Sequence, residues 1–130
     1  MKKAAKKVVK RKPQPAESHL EEKLLVRLLE HFPAPLRNYC PFKQNKLEFD
    51  FTFLPQKIAL EVQGGITSRS RRSGHVSIDG MHRDIYKMCM AQSQGWILYQ
   101  VAPIWVTCDS HWENILLQFL LKAFKLRTPA

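Results

Sequence analysis

The sequence has no long apolar run, no paired-cysteine motif and no apolar segment behind its charged N-terminus. No stretch approaches the roughly 18 consecutive apolar residues of a transmembrane helix, so we expect no membrane span. The N-terminus has the positive charge of a signal peptide without the apolar region that would follow it, which argues against secretion. The three cysteines are widely spaced and form no C-x-x-C, so neither a disulfide framework nor a structural zinc site is indicated. Together these absences predict a cytoplasmic protein with reduced cysteines.

Acidic residues are missing from one segment, residues 2–12, which holds seven of the 21 Lys and Arg residues. Removing it leaves 14 bases against 11 acids, so the net charge falls from +10 to +3 over residues 13–130. A chain of 130 residues with 45% apolar composition can form one domain with a core. We therefore predict a basic arm, residues 1–15, and a folded domain, residues 16–130. The basic residues of the arm are suited to binding nucleic-acid phosphates. A solubilising terminus or a nuclear import signal has the same composition.

Hydrophobic periodicity and capping signals predict the element order α-β-β-β-α-β-α, without internal repeats. The predicted bounds are a helix over 18–31, strands over 37–42, 46–53 and 58–63, a cationic loop over 64–79, a helix over 80–94 stopped by Gly95, a strand over 96–101 and a C-terminal amphipathic helix around 112–123. This order predicts a single mixed α/β domain around a small sheet.

The second and third strands form the centre of the prediction, because both alternate strictly between apolar and polar residues. If 54–57 is the loop of an antiparallel hairpin, residue 53 pairs with 58, 51 with 60 and 49 with 62, and every apolar residue meets an apolar partner. Asp50 then lies opposite Glu61. Two facing carboxylates repel each other, whereas a divalent cation such as Mg²⁺ makes the arrangement favourable.

Two further features bear on this carboxylate pair. Gln63, one pleat further on the same face, is expected to reach an attacking water or the metal shell. Gly64 and Gly65 follow it, and glycines at a strand end allow close approach of another backbone. The alternative interpretation is a polar, solvent-facing side of the hairpin on which a Lys or Arg neutralises both acids.

Several short motifs, in this order and spacing, resemble the PD-(D/E)XK nuclease superfamily, and more closely its small phage and prophage endonuclease-like proteins. F-D-F at 49–51 followed by I-A-L-E-V-Q-G-G at 58–65 resembles the metal-binding core. Four further motifs lie outside this core. The first is S-H-L-E at 18–21, and the second is H-x(4)-G-x(3)-D, formed by His75, Gly80 and Asp84. The third is a basic residue three positions later, Lys87, and the fourth is Gly95-Trp96 at the start of the last core strand. The resemblance covers residues 18–124 and implies a restriction-endonuclease-like α-β-β-β-α-β core with an added C-terminal helix.

The resemblance also implies a set of site residues. Asp50, Glu61 and the backbone carbonyl of Val62 would bind Mg²⁺ or Mn²⁺. Gln63 stands where the family often has Lys and would orient water, which leaves the metal to lower its pKa. Glu21 would point from the first helix toward the cluster, or act only as a helix cap. The expected nucleic-acid contacts are Arg69, Arg71, Arg72, His75 and Lys87, with Lys10, Arg11 and Lys12 of the arm; the family's Arg two positions after the His is Ser77 here.

The function so implied is metal-dependent hydrolysis of DNA in a bacterial or phage-infected cell. Because no base-reading module is evident, we expect an endonuclease that recognises a junction, nick or flap, acting in DNA repair or recombination, with a larger replication or recombination protein as a candidate partner. The alternative is a nucleic-acid-binding protein on a catalytically inactive nuclease fold, but a phosphate binder gains nothing from central acids. A third interpretation is an assembly factor or homodimer joined by the C-terminal helix, whose apolar residues Leu116, Leu117, Phe119, Leu120 and Leu121 spread around more than one face.

Overall fold

A computed structural model of the chain describes residues 15–42, 47–63 and 78–128. The fold is mixed α/β, with helices packed on a four-stranded mixed sheet. The predicted order α-β-β-β-α-β is confirmed, but several helical segments follow it where one C-terminal helix was predicted. The elements are α1 (Pro15–Leu29), β1 (Leu36–Tyr39), β2 (Phe49–Phe53), β3 (Ile58–Val62), α2 (Ile78–Ser93), β4 (Ile97–Val101), α3 (Pro103–Thr107), α4 (Asp109–His111), a π-helical turn (Trp112–Leu116) and α5 (Leu117–Arg127). Most of the predicted cationic loop, residues 64–77, lies outside the described residues.

The sheet has the strand order β1-β2-β3-β4, with two antiparallel pairs followed by the parallel pair of β3 and β4. The predicted hairpin register is confirmed at Phe51↔Leu60 and Phe53↔Ile58. The third predicted pair, 49 with 62, does not continue this ladder. Instead, the backbone N–H of Val62 donates to Oδ2 of Asp50 at 2.7 Å. A side chain therefore takes the place of a backbone acceptor at the point where the hairpin ends.

One face of the sheet packs against α1 and the C-terminal helices, and we call this apolar cluster the first core. It contains Leu24 and Leu28 of α1, Phe51, Phe53, Ile58, Leu60 and Val101 of the sheet, and Val106, Trp112, Leu116, Leu117, Leu120 and Ala123 of the C-terminal helices. Arg27 fastens α1 to this region by donating from Nε to the carbonyl oxygen of Val106 at 2.8 Å. Of the two apolar clusters formed by the described residues, the first core is the larger, and it holds the helical layer on the sheet.

The other face carries a smaller cluster, the second core, which consists of Phe42, Phe49, Ala59, Ala91 and Trp96. The prediction that Phe49 shares a face with Phe51 and Phe53 is wrong, because Phe49 packs against Phe42 and Trp96 in this cluster. Strict alternation holds only while a strand keeps its regular pleat. The pairing of β2 with β3 ends at Phe51, while Phe49 stays paired with Tyr39 of β1. Between these pairs Asn38 of β1 has φ of +51°, so the backbone is not regularly extended beside Phe49.

The turn after α2 places β4 beside β3. Gly95 has φ of +82°, and its N–H donates to the carbonyl oxygen of Gln92, while the Trp96 N–H donates to that of Ala91. A glycine just past a helix end adopts this left-handed conformation without steric cost. The predicted stop at Gly95 is thus confirmed, and β4 begins where the Ile97 N–H reaches the carbonyl oxygen of Lys57.

Several boundaries differ from the sequence-based expectation. The first helix begins at Pro15 and not at residue 18, because proline suits the first helical position, where its missing N–H costs no hydrogen bond. The same signal introduces α3 at Pro103, a helix that the sequence analysis missed. The helices in the described ranges are all too short or too polar to span a bilayer.

Candidate active site

The site lies at the end of the β2–β3 hairpin, on the side of the sheet that α2 covers. In β3, Ile58 and Leu60 belong to the first core and Ala59 to the second, so Glu61 lies on the α2 side. Glu61 is only 8% exposed, a low value for a carboxylate. The strand pattern thus buries one ionisable residue beside the second core.

Lys87 of α2 is the partner of this buried carboxylate. Its Nζ lies 2.7 Å from Oε2 of Glu61 and also donates to the backbone carbonyl oxygen of Glu48 at 2.9 Å. The ammonium group lies 5.5 Å from the centre of the Phe49 ring. The side chains of Lys87 and Glu61 are 14% and 11% exposed. The interpretation of a solvent-facing polar surface is therefore wrong at Glu61, although a lysine does neutralise it.

Asp50 is fixed close to Glu61 by the hairpin itself. Its Oδ2 accepts the 2.7 Å hydrogen bond from the Val62 N–H, one residue beyond Glu61. Burial raises the pKa of Glu61 from its ordinary 4.5 to about 7, Lys87 opposes this rise, and the negative charges of Asp50 and Asp84 add to it. The two predicted metal ligands are thus close enough to repel each other. Glu61 is poised to gain or lose a proton near neutral pH.

The donor set fits a small divalent cation. Mg²⁺ is commonly held by one or two protein carboxylates, with water and substrate phosphate completing its shell. Asp50 and Glu61 supply two carboxylates, and a cation would offset both the burial of Glu61 and the repulsion between the two acids. The residues that the structure describes contain no group of three or more His, Cys, Asp and Glu side chains arranged to hold a metal. Asp50 and Glu61 are thus the described carboxylates that could hold such a cation.

Glu21, the acid predicted on the first helix, is placed beside β1. Its Oε1 lies 3.3 Å from Nη2 of Arg37, and the same guanidinium lies 3.6 Å from Glu22. The Arg37 guanidinium also lies 4.9 Å from the ring centre of Phe51, the residue after Asp50. Glu21 therefore joins α1 to the sheet through Arg37. Its approach to the carboxylate pair stays a prediction.

The remaining predicted residues divide into two groups. Gln63 directly follows β3, and its backbone N–H donates to the carbonyl oxygen of Val101 at 2.9 Å, so the chain is still tied to β4 there. The roles of the Gln63 side chain and of the Val62 carbonyl stay predictions. The predicted phosphate contacts that lie outside the described residues are Lys10, Arg11, Lys12, Arg69, Arg71, Arg72 and His75.

Two residues near the site were missed or assigned a different role by the sequence analysis. Lys87 was expected to bind phosphate, whereas its described partner is Glu61. Lys87 follows Asp84 by three residues, so both lie on one side of α2. This spacing was the signal in the sequence that Lys87 lies near acidic residues. Gln100 of β4 pairs with Glu61 in the parallel register and was not predicted at all. Pairing the predicted fourth strand with the third would have found it.

The chain was also compared with known proteins. No protein-family model, no curated protein and no solved structure matches it. The function is therefore inferred from the residues of the site.

Proposed function

We propose that this protein is a metal-dependent nuclease that hydrolyses DNA phosphodiester bonds, on a restriction-endonuclease-like fold of the PD-(D/E)XK type. The observation that carries the proposal is the buried Glu61 beside Asp50 at the end of an antiparallel hairpin. A buried carboxylate close to a second acid is unfavourable in a purely structural role. Such groups are common at functional sites, where their charge is used.

Each residue of the site has a distinct part in the proposed reaction. Asp50, Glu61 and the Val62 carbonyl would hold Mg²⁺ or Mn²⁺, which when bound polarises the phosphate and lowers the pKa of a coordinated water. The Val62 N–H fixes the orientation of Asp50. Gln63 would orient the water by hydrogen bonding. Lys87 keeps a positive charge beside Glu61. Together these residues would position a water against a phosphate.

The proposed substrate is DNA recognised by its structure, such as a junction, nick or flap. The arm and the basic residues after Gly65 would contact phosphates, which position a duplex without reading its sequence. A homodimer through the C-terminal helix would place two sites on one DNA. Leu116, Leu117 and Leu120 are buried in the first core, so such an interface would use Phe119 and Leu121, which are 41% and 44% exposed.

A nucleic-acid-binding protein on an inactive nuclease fold is the second candidate. The observation that favours it is the contact between Lys87 and Glu61, because this lysine gives the buried carboxylate a partner without any metal. The two candidates differ in what a divalent cation does. A nuclease requires the cation for turnover, whereas a binding protein needs none.

The proposal is tested by incubating plasmid, single-stranded and four-way-junction DNA with the full chain, with and without Mg²⁺. We expect Mg²⁺-dependent cleavage, and we expect Asp50→Asn to abolish it while DNA binding stays intact or tightens, because a negative charge near phosphate is removed. Asp109→Asn is the matched control, since Asp109 is an exposed carboxylate paired with Arg27. It should cleave like the wild type.

Two outcomes would contradict the proposal. Binding without cleavage of any substrate, in Mg²⁺ or Mn²⁺, would favour the inactive-fold candidate. If Asp50→Asn lost folding and binding together, as measured by circular dichroism and gel shift, Asp50 would be a structural acid that only anchors the Val62 backbone.

A further inference from the structure

Glu61 is a buried carboxylate that already has a cationic partner. Its side chain is 11% exposed, and Nζ of Lys87 lies 2.7 Å from its Oε2. The negative charges of Asp50 and Asp84 act against the ionised form of Glu61. A cation beside Glu61 is therefore favourable, and Lys87 supplies one.

Lys87 also holds the position from which a cation would bind. Its ammonium lies 2.7 Å from Oε2 of Glu61, and Mg²⁺ would have to approach a carboxylate oxygen to about 2.0–2.1 Å. Two cations on one oxygen would repel each other strongly at such distances, because the side chains are shielded from water. The ammonium and a metal would therefore compete for Oε2.

The surroundings of Lys87 allow it to leave Glu61 without leaving the site. Its ammonium also donates to the backbone carbonyl oxygen of Glu48 at 2.9 Å and lies over the ring of Phe49. A lysine ammonium has three donors on a flexible stem, so losing one acceptor does not leave it unpartnered. It would stay close enough to meet an incoming phosphate.

We infer that Lys87 and a divalent cation are alternative partners of Glu61, so that Lys87 is the built-in counter-ion of the metal-free site and is displaced when the cation binds. This inference rests on the proposed function, because it takes Glu61 as a metal ligand. It adds a regulation of that site: the protein holds Glu61 in place before metal arrives. When metal binds, Lys87 would keep its contacts with the Glu48 carbonyl and the Phe49 ring.

The test measures binding of Mg²⁺ and Mn²⁺ alone, by calorimetry, without nucleic acid. Removing the competitor in Lys87→Met should tighten cation binding about tenfold, a typical coupling between groups in direct contact. Lys122→Met removes the same charge from an exposed position of α5 and should leave the affinity close to that of the wild type. Glu61→Gln should weaken binding in either background, because the shared ligand is lost.

A second measurement uses the unmodified chain, in case Lys87→Met does not fold. The Nζ resonance of Lys87, followed by NMR during a magnesium titration, should move as the ammonium leaves Glu61. A Lys87 signal unchanged at saturating Mg²⁺ would overturn the inference. So would equal or weaker cation binding by folded Lys87→Met, which would mean that the metal uses another oxygen or that Lys87 supports it.

These outcomes separate the inference from the proposed function. If the wild type binds Mg²⁺ and Lys87→Met binds it no more tightly, the inference alone fails. If neither protein binds Mg²⁺ or Mn²⁺, the metal site of the proposed function fails as well. Binding by Lys87→Met with none by the wild type would support the competition in its strongest form.

Discussion

The two faces of the sheet differ in what they bury, although the same strands form both. The first core is apolar throughout, whereas the second core is small and borders a buried carboxylate and its lysine. The contrast is sharpest in β3, where Leu60 is fully buried on one face and Glu61 is 8% exposed on the other. One face therefore supplies most of the apolar burial that stabilises the fold. The other face accepts charges that would be costly in a uniform core.

The same contrast appears in the two shortest ion pairs among the residues that the structure describes. Arg27 meets Asp109 at 2.7 Å, and Lys87 meets Glu61 at the same distance. The side chain of Asp109 is 86% exposed, and hydrogen bonding to Arg27 lowers its pKa. At Glu61, burial outweighs the lysine and the pKa rises. The surroundings, and not the contact distance, decide which form of the acid is favoured.

The largest effect is expected on the apolar face. Leu60→Ala should lower the free energy of unfolding by about 2–5 kcal/mol at any pH, because it leaves a cavity in a packed core. Urea denaturation measures this loss. Leu126→Ala is the control, since Leu126 is 78% exposed and should change stability little. Similar losses in the two variants would mean that the first core is loosely packed.

A pH-dependent effect is expected from the neighbouring residue on the other face. The pKa of Glu61 is about 7 in the folded protein and 4.5 ordinarily, so the folded state binds this proton more tightly. The ionised form is therefore disfavoured, and stability falls as pH rises from about 4.5 to 7. Relative to Glu61→Gln, the wild type should lose roughly 3 kcal/mol across this window, as measured by urea denaturation in chelator. A constant difference between the two proteins from pH 4.5 to 8 would contradict the burial argument.

The smallest effect is expected at Cys108. Hydrogen bonds there favour the charged thiolate, whereas burial at Glu61 disfavours the charged carboxylate. Hydrogen bonds from the Ser110 hydroxyl and then from the His111 backbone are the main causes that lower the pKa of Cys108 to about 7. Cys108 should react with iodoacetamide at pH 7 a few-fold faster than an unperturbed cysteine, since the gain in thiolate is partly offset by lower nucleophilicity. Mass spectrometry of the labelled chain gives the rate. Ser110→Ala should slow labelling, and an unchanged rate would exclude the hydroxyl as the cause.

The sequence predicted those parts of the molecule that depend on local pattern. The alternation in residues 47–62 gave the hairpin, two of its pairs and the proximity of Asp50 to Glu61, because a slip by one residue would expose a whole apolar face. The stop at Gly95 followed from backbone sterics. Both are properties of short segments, which is why they could be read without the fold.

Other features depend on how distant segments meet. Phe49 was assigned to the wrong cluster because it packs against Phe42 and Trp96 beyond the last β2–β3 pair, contacts that no alternation rule contains. The contact of Lys87 with Glu61 depends on the rotation and position of α2 over the sheet. Sequence spacing indicates that Lys87 shares a helix side with Asp84, but not which strand that side covers.

The sequence separation between the residues of the site determines the order in which they come together during folding. Asp50 meets the end of β3 across 12 residues, within one hairpin, whereas Lys87 reaches Glu61 across 26. Short loops close with less entropic cost and close sooner, and during synthesis both acids leave the ribosome before the lysine does. We therefore expect the two acids to be brought together while the counter-ion is still absent. The docking of α2 then supplies the positive charge, which ties a later stage of assembly to the electrostatics of the site.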